Sequence, residues 1–326
     1  MLICIFGDFM KKHSFFSLLT LTVLFNLFFS CATTIHVTVD RPAEVDLGSA
    51  RSIAIEPIDI SKNLNRTEAA YARDIVNYLE YNIENALISR GYYKIIGTSD
   101  RRTPADIYLE GEITLLDITD EKNTEKIKNP NYGKNTSGGS KSTYEPEYLT
   151  EITYRRRVQF IYTYQYVDGY TNQVIKRREI CKDTSSSKVA EIKMLPEPYD
   201  MVNDYLYYAV AQIAKEIQPY SVSKSLTLLE VKKDDDMEYA AKLAENGYFD
   251  ESYNKYVEIY NARNYFEAYY NAAIILEAKG DYYGARDMMK QLYLQTLDNR
   301  AHRALSDIQA EIEYQYQLQQ QNNKRN

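Results

Sequence analysis

The sequence predicts an α+β domain followed by an α-helical repeat domain. Three observations carry that expectation: apolar and polar residues alternate over 106–116 and 154–166, amphipathic stripes run over 67–90 and 202–217, and the C-terminal third repeats at a spacing of 33. With 326 residues, 26% charged and 44% apolar, the chain is long enough for two buried cores and too apolar to be wholly disordered.

The first element is an export signal. Lys11 and Lys12 precede an apolar run from Phe15 to Phe29, a charged region followed by a hydrophobic one. The run is about 15 residues long, short of the ~20 that a spanning helix needs. It closes on Leu27-Phe28-Phe29-Ser30-Cys31, a small residue directly before cysteine, as lipoprotein signal peptidase requires. Residues 1–30 are therefore expected to be a lipoprotein signal peptide and Cys31 the lipidation site, with palmitate-type chains anchoring the protein at ~0.8 kcal/mol per buried CH₂. Met10-Lys11-Lys12 opens a standard signal, so Met10 is the expected start and residues 1–9 an upstream extension. Ala32 rather than Asp follows the cysteine, which resembles lipoproteins sorted to the outer membrane and held facing the periplasm. Residues 31–47 are read as a tether.

The α+β domain is expected over 48–225. Ser52-Ile53-Ala54-Ile55-Glu56-Pro57 reads as a short strand, and 67–90 as a helix burying Ile75, Leu79, Ile83, Ala86 and Leu87, stopped by Gly91. Tyr92 to Ile96 enters a second strand. In the third, Ile107, Leu109, Ile113 and Leu115 alternate with Tyr108, Glu110, Glu112 and Thr114. Periodicity is then lost over 120–148, which is read as a mobile insertion containing Ser137-Gly138-Gly139-Ser140. A long strand follows with Tyr154, Val158, Phe160, Tyr162, Tyr164 and Tyr166 on one face. A turn near Asp168-Gly169, of two residues or six, leads to a partner strand from Gln173 to Cys181. After Pro196 and Pro198, a second helix buries Val202, Leu206, Ala209, Val210, Ile213 and Ile217.

Four segments of this domain carry a resemblance. Arg51 to Ile58, Ala86-Leu87-Ile88-Ser89-Arg90-Gly91-Tyr92-Tyr93-Lys94-Ile95-Ile96, Ala105 to Ile113, and Val167-Asp168-Gly169-Tyr170-Thr171-Asn172-Gln173-Val174-Ile175 resemble the periplasmic lipoprotein domain of the CsgG and LpoB type. The resemblance covers about half the chain and implies an α/β sandwich in an envelope lipoprotein. Members include a curli secretion pore and an activator of penicillin-binding proteins. A pore needs paired strands with a lipid-facing apolar row, whereas this hairpin carries Arg155, Arg157, Lys176, Arg177 and Arg178, which a bilayer penalises.

In the second domain, expected over 226–318, a shift of 33 places Leu243 on Leu276, Gly247 on Gly280, Ser252 on Ala285, Tyr256 on Met289 and Ile259 on Leu292. The spacing resembles the 34 residues of a tetratricopeptide repeat. A helix from Asn299 to Tyr316 is expected to cover the stack, and 319–326 to be a disordered tail. Tyr269, Ala272, Ala273 and Leu276 form one packing face of their helix, which leaves Tyr270, Ile274 and Glu277 on another. That second face is either a protein-binding groove or, if the α+β domain or the C-terminal helix covers it, core.

Chemistry is sparse. His13, His36 and His302 stand apart, so no metal-ligand pair is expected; Cys181 lacks a CxxC or a nearby histidine and reads as structural; no phosphate loop or nucleophile elbow appears. The Arg155–Arg157 and Lys176–Arg178 clusters are read as a solvated sheet face, or as an anion site if the hairpin brings them together. The net charge is −7, and −8 once residues 1–30 with Lys11, Lys12 and Asp8 are removed, which argues against nucleic acid. The expectation is a non-enzymatic envelope lipoprotein without cofactor or metal, membrane-bound through its lipid, that scaffolds envelope proteins through its repeats. The alternatives are a regulator of a peptidoglycan synthase and, behind it, a secretion component.

Overall fold

The structure is a computed structural model that describes residues 33–100, 103–130, 132 and 147–325. It is an α+β protein with a C-terminal region of consecutive helices. Two compact units emerge among the described residues: one within 41–220 together with 317–325, and one of 33–40 together with 221–316. The signal peptide and Cys31 lie outside the described residues.

The first unit is built on a sheet of order β4-β2-β5-β6-β7, with β2 (Ser52–Ile55), β4 (Lys94–Ile96), β5 (Ile107–Lys128), β6 (Tyr148–Asp168) and β7 (Val174–Ser185). The short β3 (Asp59–Ile60) also pairs with β5. Strands β4, β2 and β5 are parallel, joined through helix α1 (Arg66–Arg90); β5, β6 and β7 form an antiparallel meander. Helix α1 starts where Asn65 accepts from the amides of Thr67 and Glu68 while Glu68 accepts from the Asn65 amide. It stops at Gly91, whose φ of 60° places it in the left-handed region. Helix α2 (Pro198–Ile217) begins with proline at its first position, where the missing amide proton costs nothing. Both helices pack against the same sheet face, where Ile75, Leu79, Val202 and Leu206 meet Val158, Phe160 and Tyr162. The other face presents Glu110, Glu112, Gln165 and Arg177.

Deep in this core stands a carboxylate. Glu216 is 0% exposed and accepts from the hydroxyls of Tyr164 (3.1 Å) and Tyr166 (2.9 Å) and from Nε of Arg178 (2.8 Å), tying β6, β7 and α2 together. Burial, reinforced by that carboxylate, pushes both phenols far above their usual range.

Several sequence expectations are corrected. The strand β5 runs on to Lys128, so residues 120–128 are ladder rather than part of an insertion, and β6 pairs with it from Tyr148. Alternation fades there because both faces of this arm meet water, and only one-sided burial writes a period of two. Asp120 and Arg156 join across the arm in a two-pronged ion pair at 2.7 and 2.8 Å. A register shift between Ile113 and Leu115 turns Leu116, not Leu115, into the core. The hairpin between β6 and β7 closes with Asp168 N–H donating to the Gln173 carbonyl and Asn172 at φ 59°, which settles the turn as the longer form.

The expected tether contains β1 (Thr34–Arg41), which pairs with β8 (Tyr220–Thr227). Ile35 and Val39 face inward, but the partner strand lies far along the chain and leaves no local sign. The expected disordered tail is also helical: α7 (Asn299–Arg325) continues through it. Gln321 there exchanges two hydrogen bonds of 2.9 Å with the backbone of Ala43, its amide standing in for a peptide group.

The second unit holds α3 (Asp235–Glu245), α4 (Phe249–Arg263), α5 (Phe266–Ala278), α6 (Tyr282–Thr296) and the first part of α7 around one core of Met237, Tyr256, Ala273, Ile275, Met289 and Ile308. Asp234 caps α3 by accepting from the Met237 amide at 3.1 Å.

Candidate interaction surface

The helices recur in backbone detail at a shift of 33. Gly247 N–H donates to Ala244 as Gly280 N–H does to Glu277; Tyr248 donates to Leu243 as Asp281 does to Leu276; Asn264 donates to Tyr260 as Leu297 does to Tyr293. The two glycines have φ of 81° and 83°, and Asn264 and Leu297 both have 53°. The pattern enters a third copy, because Ala268 and Ile275 of α5 correspond to Ala301 and Ile308 of α7, all fully buried. Short turns with a glycine in the left-handed region allow each helix pair to fold back on itself, and small residues such as Ala273 and Ala285 let the pairs approach.

The residues expected to line a groove, Tyr270, Ile274 and Glu277, are instead packed into this unit. Ile274 is 4% and Glu277 3% exposed, and Tyr270 is half-buried, stacked on Phe266 with ring centroids 6.0 Å apart. Helix α7 and the protein's own extended chain both meet this face: Arg300 of α7 lies over the Phe266 ring, 4.4 Å from its centroid. Lys224 of β8 places Nζ 2.7 Å from Glu277 and 2.6 Å from Glu311 of α7. Further along the same chain, the Asn271 side chain of α5 accepts from the Leu229 amide at 2.7 Å and donates to its carbonyl at 2.8 Å, as a neighbouring β-strand would. Burial raises the Glu277 carboxyl against the pull of Lys224. Burial works against the charge of Lys224, yet the hydrogen bonds it donates to Glu277 and Glu311 hold its ammonium above the usual value. Sequence reasoning missed Asn271; a lone amide in the apolar run of α5 was the available signal.

The large apolar residues that this unit leaves exposed lie elsewhere: Tyr239 on α3, Tyr248, Tyr283 on α6, Leu294 and Leu297 at 66% and 71%, and Tyr314 and Tyr316 on α7. Leu294 and Leu297 follow Tyr283 at helical spacing along α6 and its cap.

The remaining chemistry-bearing residues are dispersed. Cys181 lies exposed on β7, its Sγ 2.9 Å from Glu179, whose hydrogen bond and charge push the thiol up and away from reactivity. His36 meets Ser225 across the β1–β8 pair, and His302 packs on the ring of Tyr293. The two basic clusters do not meet. Arg157 stands opposite Ser185 and Arg178 opposite Tyr164, so seven positions of β6, roughly 23 Å, separate them. Within them Arg157 pairs with Asp183 (2.5 Å), Arg156 with Asp120 and Arg178 with Glu216. Among the described residues no group of three or more His, Cys, Asp or Glu is arranged to hold a metal ion, and no helix is long and apolar enough to cross a membrane.

No protein-family model and no curated protein matches the chain. Among solved structures it is similar to the PelC dodecamer from Paraburkholderia phytofirmans, at 12% identity over 57% of this chain and 98% of that one, with a TM-score of 0.26. It is similar to a putative neuraminyllactose-binding hemagglutinin homolog from Helicobacter pylori at 15% identity, over 54% and 89% of the two chains, with a TM-score of 0.32. Lipoprotein GNA1162 from Neisseria meningitidis matches at 12% identity over 50% and 98%, with a TM-score of 0.22.

Proposed function

We propose that this is a lipid-anchored protein of the bacterial cell envelope that has no catalytic role of its own and holds partner proteins through tetratricopeptide-like helical repeats. The observation that supports this reading most is the recurrence, at 33 residues, of turns, caps and buried positions across α3 to α7. Repeats of this kind stack into extended surfaces suited to binding partner proteins. The anchor is Cys31, and Ala32 after it fits retention at the outer membrane. With the Tyr270 face filled from within, partner contact falls to the outer residues Tyr283, Leu294 and Leu297.

The secretion-pore alternative finds little support in the arm. Beyond the core, β5 reads Ile127, Glu125, Asn123, Glu121 on one row and Lys128, Lys126, Thr124, Lys122 on the other, so the apolar Tyr148, Ile152 and Tyr154 of β6 stand opposite Lys128, Thr124 and Lys122 and neither face of the arm is a continuous apolar band.

A photocrosslinking residue at Leu294 in native membranes tests the proposal, with Tyr170 on the β6–β7 turn as the comparison position. A discrete partner protein captured from Leu294 and not from Tyr170 is expected. Capture of a penicillin-binding protein would shift the reading to regulation of peptidoglycan synthesis, and no capture at Leu294 would end the scaffold reading. Cys31→Ser should remove both the acyl label and the need for detergent, since thioether acylation requires the sulfur.

A further inference from the structure

The strand β1 belongs to the helical unit, and the lipidation site sits directly before it. Thr33 is already fixed in the ladder, its carbonyl accepting from the Leu228 amide at 2.8 Å. Cys31 is two residues earlier, and two residues reach at most ~7 Å even when extended. An acylated Cys31 therefore leaves the neighbourhood of Thr33 no room to stand off from the lipid.

That neighbourhood is a cleft of about 630 Å³ bounded by Thr33, the segment 228–234 and the first helix of the repeats, α3. Its floor is apolar: Leu228, Met237 and Ala241 are buried, and Val231 lies beside them. The size is that of a small-molecule site. Its rim carries both charges. Lys242 pairs with Glu238 at 2.7 Å, and Asp234 pairs with Arg263. Among the described residues, no carboxylate stands within ion-pairing distance of Lys232 or Lys233, which are exposed at a turn where Lys233 has φ 62°. Glu230 and Glu245 line the same opening.

We infer that this cleft is the membrane-contacting surface of the helical unit and receives the head of a zwitterionic phospholipid. Lys232 and Lys233 meet the phosphate, Glu230 and Glu245 meet the ammonium, and the Leu228, Met237 and Ala241 floor takes the adjoining apolar carbons. A balanced rim fits a headgroup that itself carries both charges better than an anionic one. The inference rests on the lipid-anchor reading above.

The test uses full-length lipidated protein in vesicles of phosphatidylethanolamine and phosphatidylcholine, with Cys181→Ser removing the native exposed thiol. A fluorophore is attached through Lys233→Cys or, for comparison, Tyr283→Cys, and quenched by lipids brominated near the headgroup. Loss of most of the emission at position 233, with less at 283, is expected. A label at 233 that stays unquenched while mass spectrometry shows acyl chains on Cys31 would overturn the inference and leave the anchor reading intact. Absence of acyl mass on Cys31 would overturn both. Equal or stronger quenching at 233 in phosphatidylglycerol vesicles would overturn the headgroup assignment.

Discussion

Replacing Glu216 with Ala removes the one acceptor shared by Tyr164, Tyr166 and Arg178. The two phenols are almost wholly buried and would each be left with a donor that has no partner, at ~1–3 kcal/mol apiece. The guanidinium of Arg178 is nearly half exposed and can turn to water, so its loss adds ~1 kcal/mol or less. The total is about 4 kcal/mol, concentrated where β6, β7 and α2 meet. Hydrogen exchange of the full chain, followed by mass spectrometry, reads this locally: protection in 160–167 and 209–217 should fall by ~10³-fold, while peptides of α5 and α6 keep theirs. Combining Glu216→Met with Tyr164→Phe and Tyr166→Phe should recover much of the loss, because removing donors together with their acceptor leaves nothing unsatisfied. A change below ~1 kcal/mol for Glu216→Ala, or one spread equally over both units, would refute the account.

Other substitutions follow the same logic. Ile274→Ala should cost ~2–5 kcal/mol of stability in the helical unit, measured by urea unfolding, because the side chain is core; unchanged stability with lost partner capture would restore the groove. Gly247→Ala and Gly280→Ala should destabilise by similar amounts, ~1–2 kcal/mol each in thermal melts, since a new Cβ meets nothing within 4 Å at either site and only the left-handed backbone is penalised. Asp183 is held down to a pKa of about 2 by Arg157 and Gln159. Its folded value lies below its unfolded one, so its contribution is present above the ordinary carboxylate range and is lost as pH falls from ~4 toward 2. A carboxyl titration by NMR should show that midpoint, and Arg157→Ala should return it toward ~3.9.

The sequence by itself determined the elements whose burial is one-sided. The stripes of α1 and α2 and the inward row from Val158 to Tyr166 were legible because a periodic core face writes itself into consecutive residues. The 33-residue recurrence was legible for the same reason, each copy solving the same packing problem with Gly247 or Gly280 at its turn. Tertiary structure alone decided what depends on partners distant in the chain. Thr34–Arg41 became a strand because β8 lies beside it, and Gln319–Arg325 a helix although its composition shows no stripe. The outer half of β5 kept its ladder without alternation, since backbone pairing needs no apolar face. The face of Tyr270, Ile274 and Glu277 posed the sharpest choice: its spacing on α5 was readable, but groove or core was decided by segments distant in the chain, Lys224 and Leu229 satisfying Glu277 and Asn271 and Arg300 of α7 covering the Phe266 ring. Local pattern records which side of an element is apolar; only the folded chain supplies what that side meets.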